Sequence, residues 1–154
     1  MQIEIPEELS AELATVAEET GQDVSGLAAE MLTEAIKMRR VPGILFADGP
    51  TGRRARIGGT GIEVFEVIDR YELVGHDRLR LQELFDWLAP HQISAAIAYY
   101  EAFPDEIRAR LHTDEEDRVA IEALWREIPQ TSPDWPGRRP AAGRPATQQA
   151  RESA

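Results

Sequence analysis

The first 40 residues hold one strand-sized alternation and two amphipathic helices, and that is too little chain to bury a core of its own. Gln2-Ile3-Glu4-Ile5 alternates polar and apolar side chains, as a short strand with one covered face would. Pro6 suits the first position of a helix, and Leu9, Leu13, Val16 and Ala17 follow at helical spacing. Gly21 suits a left-handed exit from that helix, and Asp23 is placed to cap the next one. Val24, Leu27, Ala28, Met31, Leu32, Ala35 and Ile36 then form one apolar stripe, with Lys37, Arg39 and Arg40 at the favourable C-terminal end. Such a unit is expected to pair with a second copy of itself.

Val41-Pro42-Gly43 breaks the helical pattern. Ile44-Leu45-Phe46 and Arg54-Ala55-Arg56-Ile57 flank a turn, Ala47 to Gly52, and predict a hairpin. Gly58-Gly59-Thr60-Gly61 is a second turn. It lacks the strand–helix–strand setting of a dinucleotide fingerprint, so a structural turn is expected. A helix follows from about Val64 to Gly75, with Val67, Ile68 and Tyr71 inward. Asp77 can cap a segment aligning Leu81, Leu84, Phe85 and Leu88, and Pro90 opens another aligning Ile93, Ala96, Ile97 and Tyr100. Pro104 starts a short helix with Ile107 and Leu111, and Thr113-Asp114-Glu115-Glu116 reads as a capping box for a last helix. Five of the ten prolines lie in residues 129–154, so this tail is expected to be disordered alone.

The 154 residues contain no cysteine, which excludes disulfides, thiol catalysis and cysteine-based zinc sites. Three scattered histidines, His76, His91 and His112, leave little for a transition metal, so no cofactor is expected. No nucleophile elbow or paired-histidine motif favours an enzyme. No apolar run is long enough to span a bilayer, and the N-terminus lacks a signal-peptide pattern, which predicts a cytoplasmic protein with no membrane partner. The net charge of −11 disfavours non-specific nucleic-acid binding, so any DNA contact must come from local basic patches.

Ile3-Glu4-Ile5-Pro6-Glu7-Glu8-Leu9, Ala17-Glu18-Glu19-Thr20-Gly21 and the second amphipathic helix resemble a ribbon–helix–helix module. That resemblance implies a dimer whose paired strands enter the major groove. Glu4, where a basic or amide side chain is usual, suggests that the dimer is kept and the DNA contact weakened. A generic helical hairpin with a leading strand is the other reading. Residues 42–107 resemble the small winged-helix family catalogued as domain of unknown function 433, found in bacterial Vap-type antitoxins. The matching blocks are Pro42-Gly43-Ile44, the arginine-rich hairpin, Ile57 to Val64, Leu84-Phe85-Asp86-Trp87-Leu88, and Gln92 to Tyr100 running into Pro104-Asp105-Glu106-Ile107. The chain departs from that pattern at Gly61, usually arginine, and at Glu63, usually proline. Membership implies a helix-turn-helix, self-association and a neighbouring gene for a PIN-type nuclease.

Several residues are candidates for contacts. In a helix-turn-helix, residues 81–88 would form the first helix and 91–103 the recognition helix. His91 and Gln92 would then face DNA, Gln92 able to read adenine and Ser94 or Tyr99 able to hold phosphate. A surface helix with a bland outer face is the alternative. Arg53, Arg54 and Arg56 are the best phosphate ligands, with Arg78 and Arg80 extending the patch; the alternative is a solvated hairpin whose arginines pair with Asp48 or Glu63. In the tail, Trp135 is a candidate docking anchor. Arg138, Arg139 and Arg144, with Trp125 at the end of the last helix, complete a surface for a nuclease whose carboxylates an arginine would engage. A flexible tail without a partner is the competing reading.

The sequence thus predicts a mainly α chain: a ribbon–helix–helix-like dimerisation module (1–40), a winged helix-turn-helix (41–112), a C-terminal helix (113–128) and a disordered toxin-binding tail (129–154). The expected function is that of a type II antitoxin. It would bind a PIN-like ribonuclease toxin, repress its own operon at operator DNA, and act as a homodimer or higher oligomer. A stand-alone transcriptional regulator without a toxin is the second reading.

Overall fold

The order of elements follows from where proline, glycine and capping side chains interrupt the apolar pattern. The computed structural model describes residues 3–50 and 52–127. Helix α1 spans Glu7–Thr20 and α2 spans Val24–Arg40. Strands β1 (Ile44–Gly49) and β2 (Gly52–Ile57) follow, then α3 (Val64–Leu73), α4 (Arg78–Leu84), α5 (Pro90–Ala102) and α6 (Pro104–Glu127). The described chain is therefore mainly helical, with one small antiparallel hairpin. One compact unit runs through Thr113 and a second begins at Asp114. The first unit takes in both the 1–40 and the 41–112 segments; the 129–154 tail lies outside the described residues.

The first loop is built as its residues require. Gly21 adopts φ 65°, and its N–H and that of Gln22 return to the end of α1. The Asp23 carboxylate accepts from Gly26 N at 2.8 Å and caps α2. Leu27 and Ala17 close the contact between the two helices, at 5% and 2% exposure.

The hairpin pairs Ile44 with Ile57, Leu45 with Arg56, Phe46 with Ala55 and Ala47 with Arg54. Pairing continues to Gly49 and Gly52, so both strands are longer than the apolar run predicts. Main-chain hydrogen bonding carries a strand past its apolar residues. Below the hairpin, Gly58 N donates to Gly43 O at 2.7 Å, where a Cβ on Gly58 would stand 3.0 Å from that carbonyl oxygen. Thr60 Oγ1 donates to Ile57 O and accepts from Ile62 N, which makes the glycine-rich segment a self-satisfied turn.

The core joins the hairpin to α3, α4, α5 and the start of α6. Ile57, Val64, Val67, Ile68, Leu81, Ala96 and Tyr99 are fully buried in it. Each large aliphatic side chain there contributes about 1.5–3 kcal/mol. Helix α5 packs on α3 and on both strands, and α4 packs on α3.

Three elements differ from the sequence expectation. The helix expected over residues 81–88 runs instead from Arg78 to Leu84, and residues 85–88 form a turn. Residues 3–6 form no strand: among the described residues the strands β1 and β2 pair with each other, and none pairs with residues 3–6. The helix expected to restart at Thr113 is instead continuous from Pro104 to Glu127. Thr113 Oγ1 bonds back to Ala109 O at 3.1 Å, so it sits inside the helix rather than capping one. No glycine or proline between residues 105 and 127 interrupts the helix.

Candidate nucleic-acid interface

Helix α5, which follows α4 and a turn through Leu88, packs beside the base of the hairpin, and α4 packs on α3. Two contacts fix α5 there. The Gln92 amide donates to Gly58 O at 3.0 Å, and Ala95 Cβ lies where it would be 3.4 Å from a Cβ on Gly43. The same Gln92 side chain accepts from Ala89 N at 2.9 Å and closes the first turn of α5. Asp77 caps α4 through Leu79 N and Arg80 N.

On α5, His91, Ser94 and Ala98 are exposed and follow one another at helical spacing on one face. Glu101, exposed near the C-terminal end, adds an acid to it. Gln92 is half-buried, with its amide engaged at both ends, so it supports the hairpin instead of reaching outward. Tyr99 is fully buried and cannot meet a phosphate in this arrangement, a correction to the sequence reading. Its ring meets Phe46 edge-on and Phe103 at a tilt, and its hydroxyl donates to Glu106 Oε1 at 2.9 Å. Burial and that bond push the Tyr99 phenol well above its usual range. Tyr100, placed inward by the spacing of the apolar residues, is only half-buried and bonds Glu72. Tyr100 still packs partly against the core, while Tyr99 is buried because Phe46 and Phe103 offer an aromatic pocket on its side.

The arginines are differently committed. Arg53 Nε and Nη2 donate to the two oxygens of Glu34 at 2.6 and 2.9 Å, and Nη1 reaches Asp48 at 3.3 Å. The bond to Glu34 chiefly raises the Arg53 pKa further above its ordinary value. Arg56 pairs loosely with Glu63 at 3.8 Å, leaving Arg56 Nε and Glu63 Oε2 without hydrogen-bond partners among the described residues. Arg54 is half-buried on β2. Arg78 and Arg80 are exposed at the start of α4, Arg80 at 3.7 Å from Asp77.

Glu30 and Glu34 are the residues that sequence reasoning missed. They lie one turn apart on α2, with Lys37 one turn further, about 120° around the helix from its apolar stripe. This polar line faces the hairpin: Lys37 pairs with Glu106 and lies over the rings of Phe46 and Phe103. The repeated charge at i, i+4 and i+7 is the signal that could have found it. Met31, Leu32 and Ile36, from the apolar stripe, are left 51%, 54% and 58% exposed.

A cleft of about 570 Å³ opens between α2, the hairpin and α6. Four acidic and four basic side chains line it, so it presents no net sign to a charged ligand. Among the described residues, no group of three or more histidine, aspartate or glutamate side chains is placed to hold a metal, and no helix is long and apolar enough to cross a membrane. Trp125 falls within α6, whereas Trp135, Arg138, Arg139 and Arg144 lie outside the described residues. Compared with known proteins, the chain matches no family model, no curated protein and no solved structure.

Proposed function

We propose that this chain is a type II antitoxin, a dimeric DNA-binding repressor of its own operon that neutralises a PIN-like ribonuclease. The observation that carries the DNA-binding half is the placing of an exposed α5 face, His91 and Ser94, beside an arginine-bearing hairpin. In this reading α4 and α5 are the helix-turn-helix and the hairpin is the wing. The α5 face holds His91 and Ser94 toward the groove. Arg54, Arg56, Arg78 and Arg80 supply phosphate contacts around it, and Arg53 joins them when its carboxylates release it.

Self-association is supported by the face that the folded chain leaves open. Ile3, Ile5 and Leu9 with Met31, Leu32 and Ile36 are all at least 44% exposed. Large apolar side chains left exposed in number mark a candidate interaction surface. A second copy brings the two strand-sized segments, residues 2–5, together as a ribbon, which satisfies the backbone groups a lone segment leaves to water. A dimer also doubles a phosphate-binding set too small for tight binding in one subunit.

The toxin-binding half rests on the resemblance to Vap-type antitoxins and on the two tryptophans, Trp125 and Trp135, and the arginines of residues 125–144. The test is co-purification of the tagged chain with the product of the adjacent gene, in full-length and 1–128 forms. A nuclease retained by the full chain and lost from the shorter form is the expected result. No nuclease with either form would remove the antitoxin assignment and leave a DNA-binding regulator to be tested by operator binding alone.

A further inference from the structure

Arg53 belongs to the hairpin on which the DNA-binding reading relies, yet its guanidinium is already held. Both oxygens of Glu34 accept from it in a side-on fork, at 2.6 and 2.9 Å. Glu30 Oε1 stands 4.0 Å from the same Nε, and Asp48 takes Nη1. Glu34 is the one charged side chain among the buried described residues, at 8% exposure. A carboxylate is not placed there by chance of solvation, because burying it is costly unless a cation meets it. Carboxylate and phosphate compete for the same planar fork of donors.

We propose that α2 latches the hairpin electrostatically: Glu34, supported by Glu30, occupies Arg53 in the free protein, and a DNA phosphate must displace these carboxylates to gain that contact. This rests on the DNA-binding reading. The consequence is a built-in suppression of non-specific binding. Contact with any phosphate backbone exchanges one ion pair for another and gains little. A specific site, where α5 also engages base edges, supplies the additional free energy that opens the latch. The other anchors of α2, Lys37 with Glu106 and Arg40 over Phe103, do not involve the hairpin arginines, so α2 stays docked when Arg53 leaves.

The test measures binding of the full chain to a random-sequence DNA duplex across a salt series. The variants are the wild type, Glu30→Gln/Glu34→Gln and, as a control of equal charge change, Glu18→Gln/Glu19→Gln on α1. Freed Arg53 is expected to raise affinity about fivefold or more over the control and to steepen the log–log salt slope by about one. Adding Arg53→Gln to the double-glutamine background should abolish that gain. Thermal melting checks that the Glu34 variant folds. Should it not, Glu30→Gln/Asp48→Asn loosens Arg53 through two exposed carboxylates and should show a smaller gain of the same sign. Wild-type binding with no gain in any of these variants overturns the latch and leaves the DNA-binding reading standing. A loss of binding in the double-glutamine variant overturns it too, since Glu34 would then be orienting Arg53 for DNA. Absence of binding to random DNA by both wild type and double-glutamine protein removes the latch; only an absence of operator binding as well removes the DNA-binding reading.

Discussion

The Tyr99 hydroxyl donates to Glu106 Oε1 at 2.9 Å, and Glu106 in turn pairs with Lys37, so one carboxylate connects α5, α6 and α2. The connection explains why an acidic residue is kept beside an aromatic pocket. Glu106 is partly exposed and stays hydrated, while Tyr99 behind it is fully buried.

Because the folded-state pKa of Tyr99 lies above its unfolded value, the folded protein holds that proton more tightly. Its contribution to stability is complete below about pH 10 and is lost as pH rises beyond it. Chemical denaturation between pH 9 and 11.5 should show a fall approaching 1.4 kcal/mol per pH unit from this group. Tyr99→Phe should flatten that fall relative to wild type. An identical alkaline slope in both proteins would mean that other groups carry it.

Leu32→Glu/Ile36→Glu should leave the folded monomer within about 0.5 kcal/mol of wild type, since both side chains are more than half exposed. The same pair should weaken self-association tenfold or more. Light scattering on a concentration series reads both states. A wild-type chain that is monomeric at high concentration would sink the dimer.

Gly58→Ala places a Cβ against the Gly43 carbonyl oxygen, a backbone atom that cannot turn away. Overpacking of this kind costs about 1–3 kcal/mol. Urea titration should show a lower midpoint with an unchanged slope. A midpoint equal to wild type would show that the base of the hairpin is slack.

Gln92→Ala removes a donor to Gly58 O and an acceptor for Ala89 N. It should destabilise the fold by about 1–3 kcal/mol. His91→Ala and Ser94→Ala, on the exposed face, should change stability by less than about 0.5 kcal/mol while lowering operator affinity. If Gln92→Ala leaves stability untouched but changes which bases are preferred, then Gln92 reads DNA directly.

Much of the local architecture was readable along the chain. Gly21 and Asp23 mark the first loop, Asp77 and Pro90 open two helices, and the turn residues between Phe46 and Arg54 locate the hairpin, because capping and turn chemistry act over a few residues. The apolar periodicity also identified Val67, Ile68, Leu81, Ile93 and Ile97 as interior. What it could not resolve was competition between neighbours for the same pocket. Tyr99 rather than Tyr100 is buried because Phe46, 53 residues earlier in the chain, supplies one wall. Thr113 carries the pattern of a cap but lies within α6, since a helix already under way absorbs it. The face of α2 departs most from its pattern. Leu27 of the apolar stripe packs on α1 while Met31, Leu32 and Ile36 stay exposed, and Glu34 and Lys37 turn inward because the hairpin arginine, Phe46, Phe103 and Glu106 meet them there. Local sequence sets where each helix begins and ends; which side of it is buried depends on partners that only folding brings together.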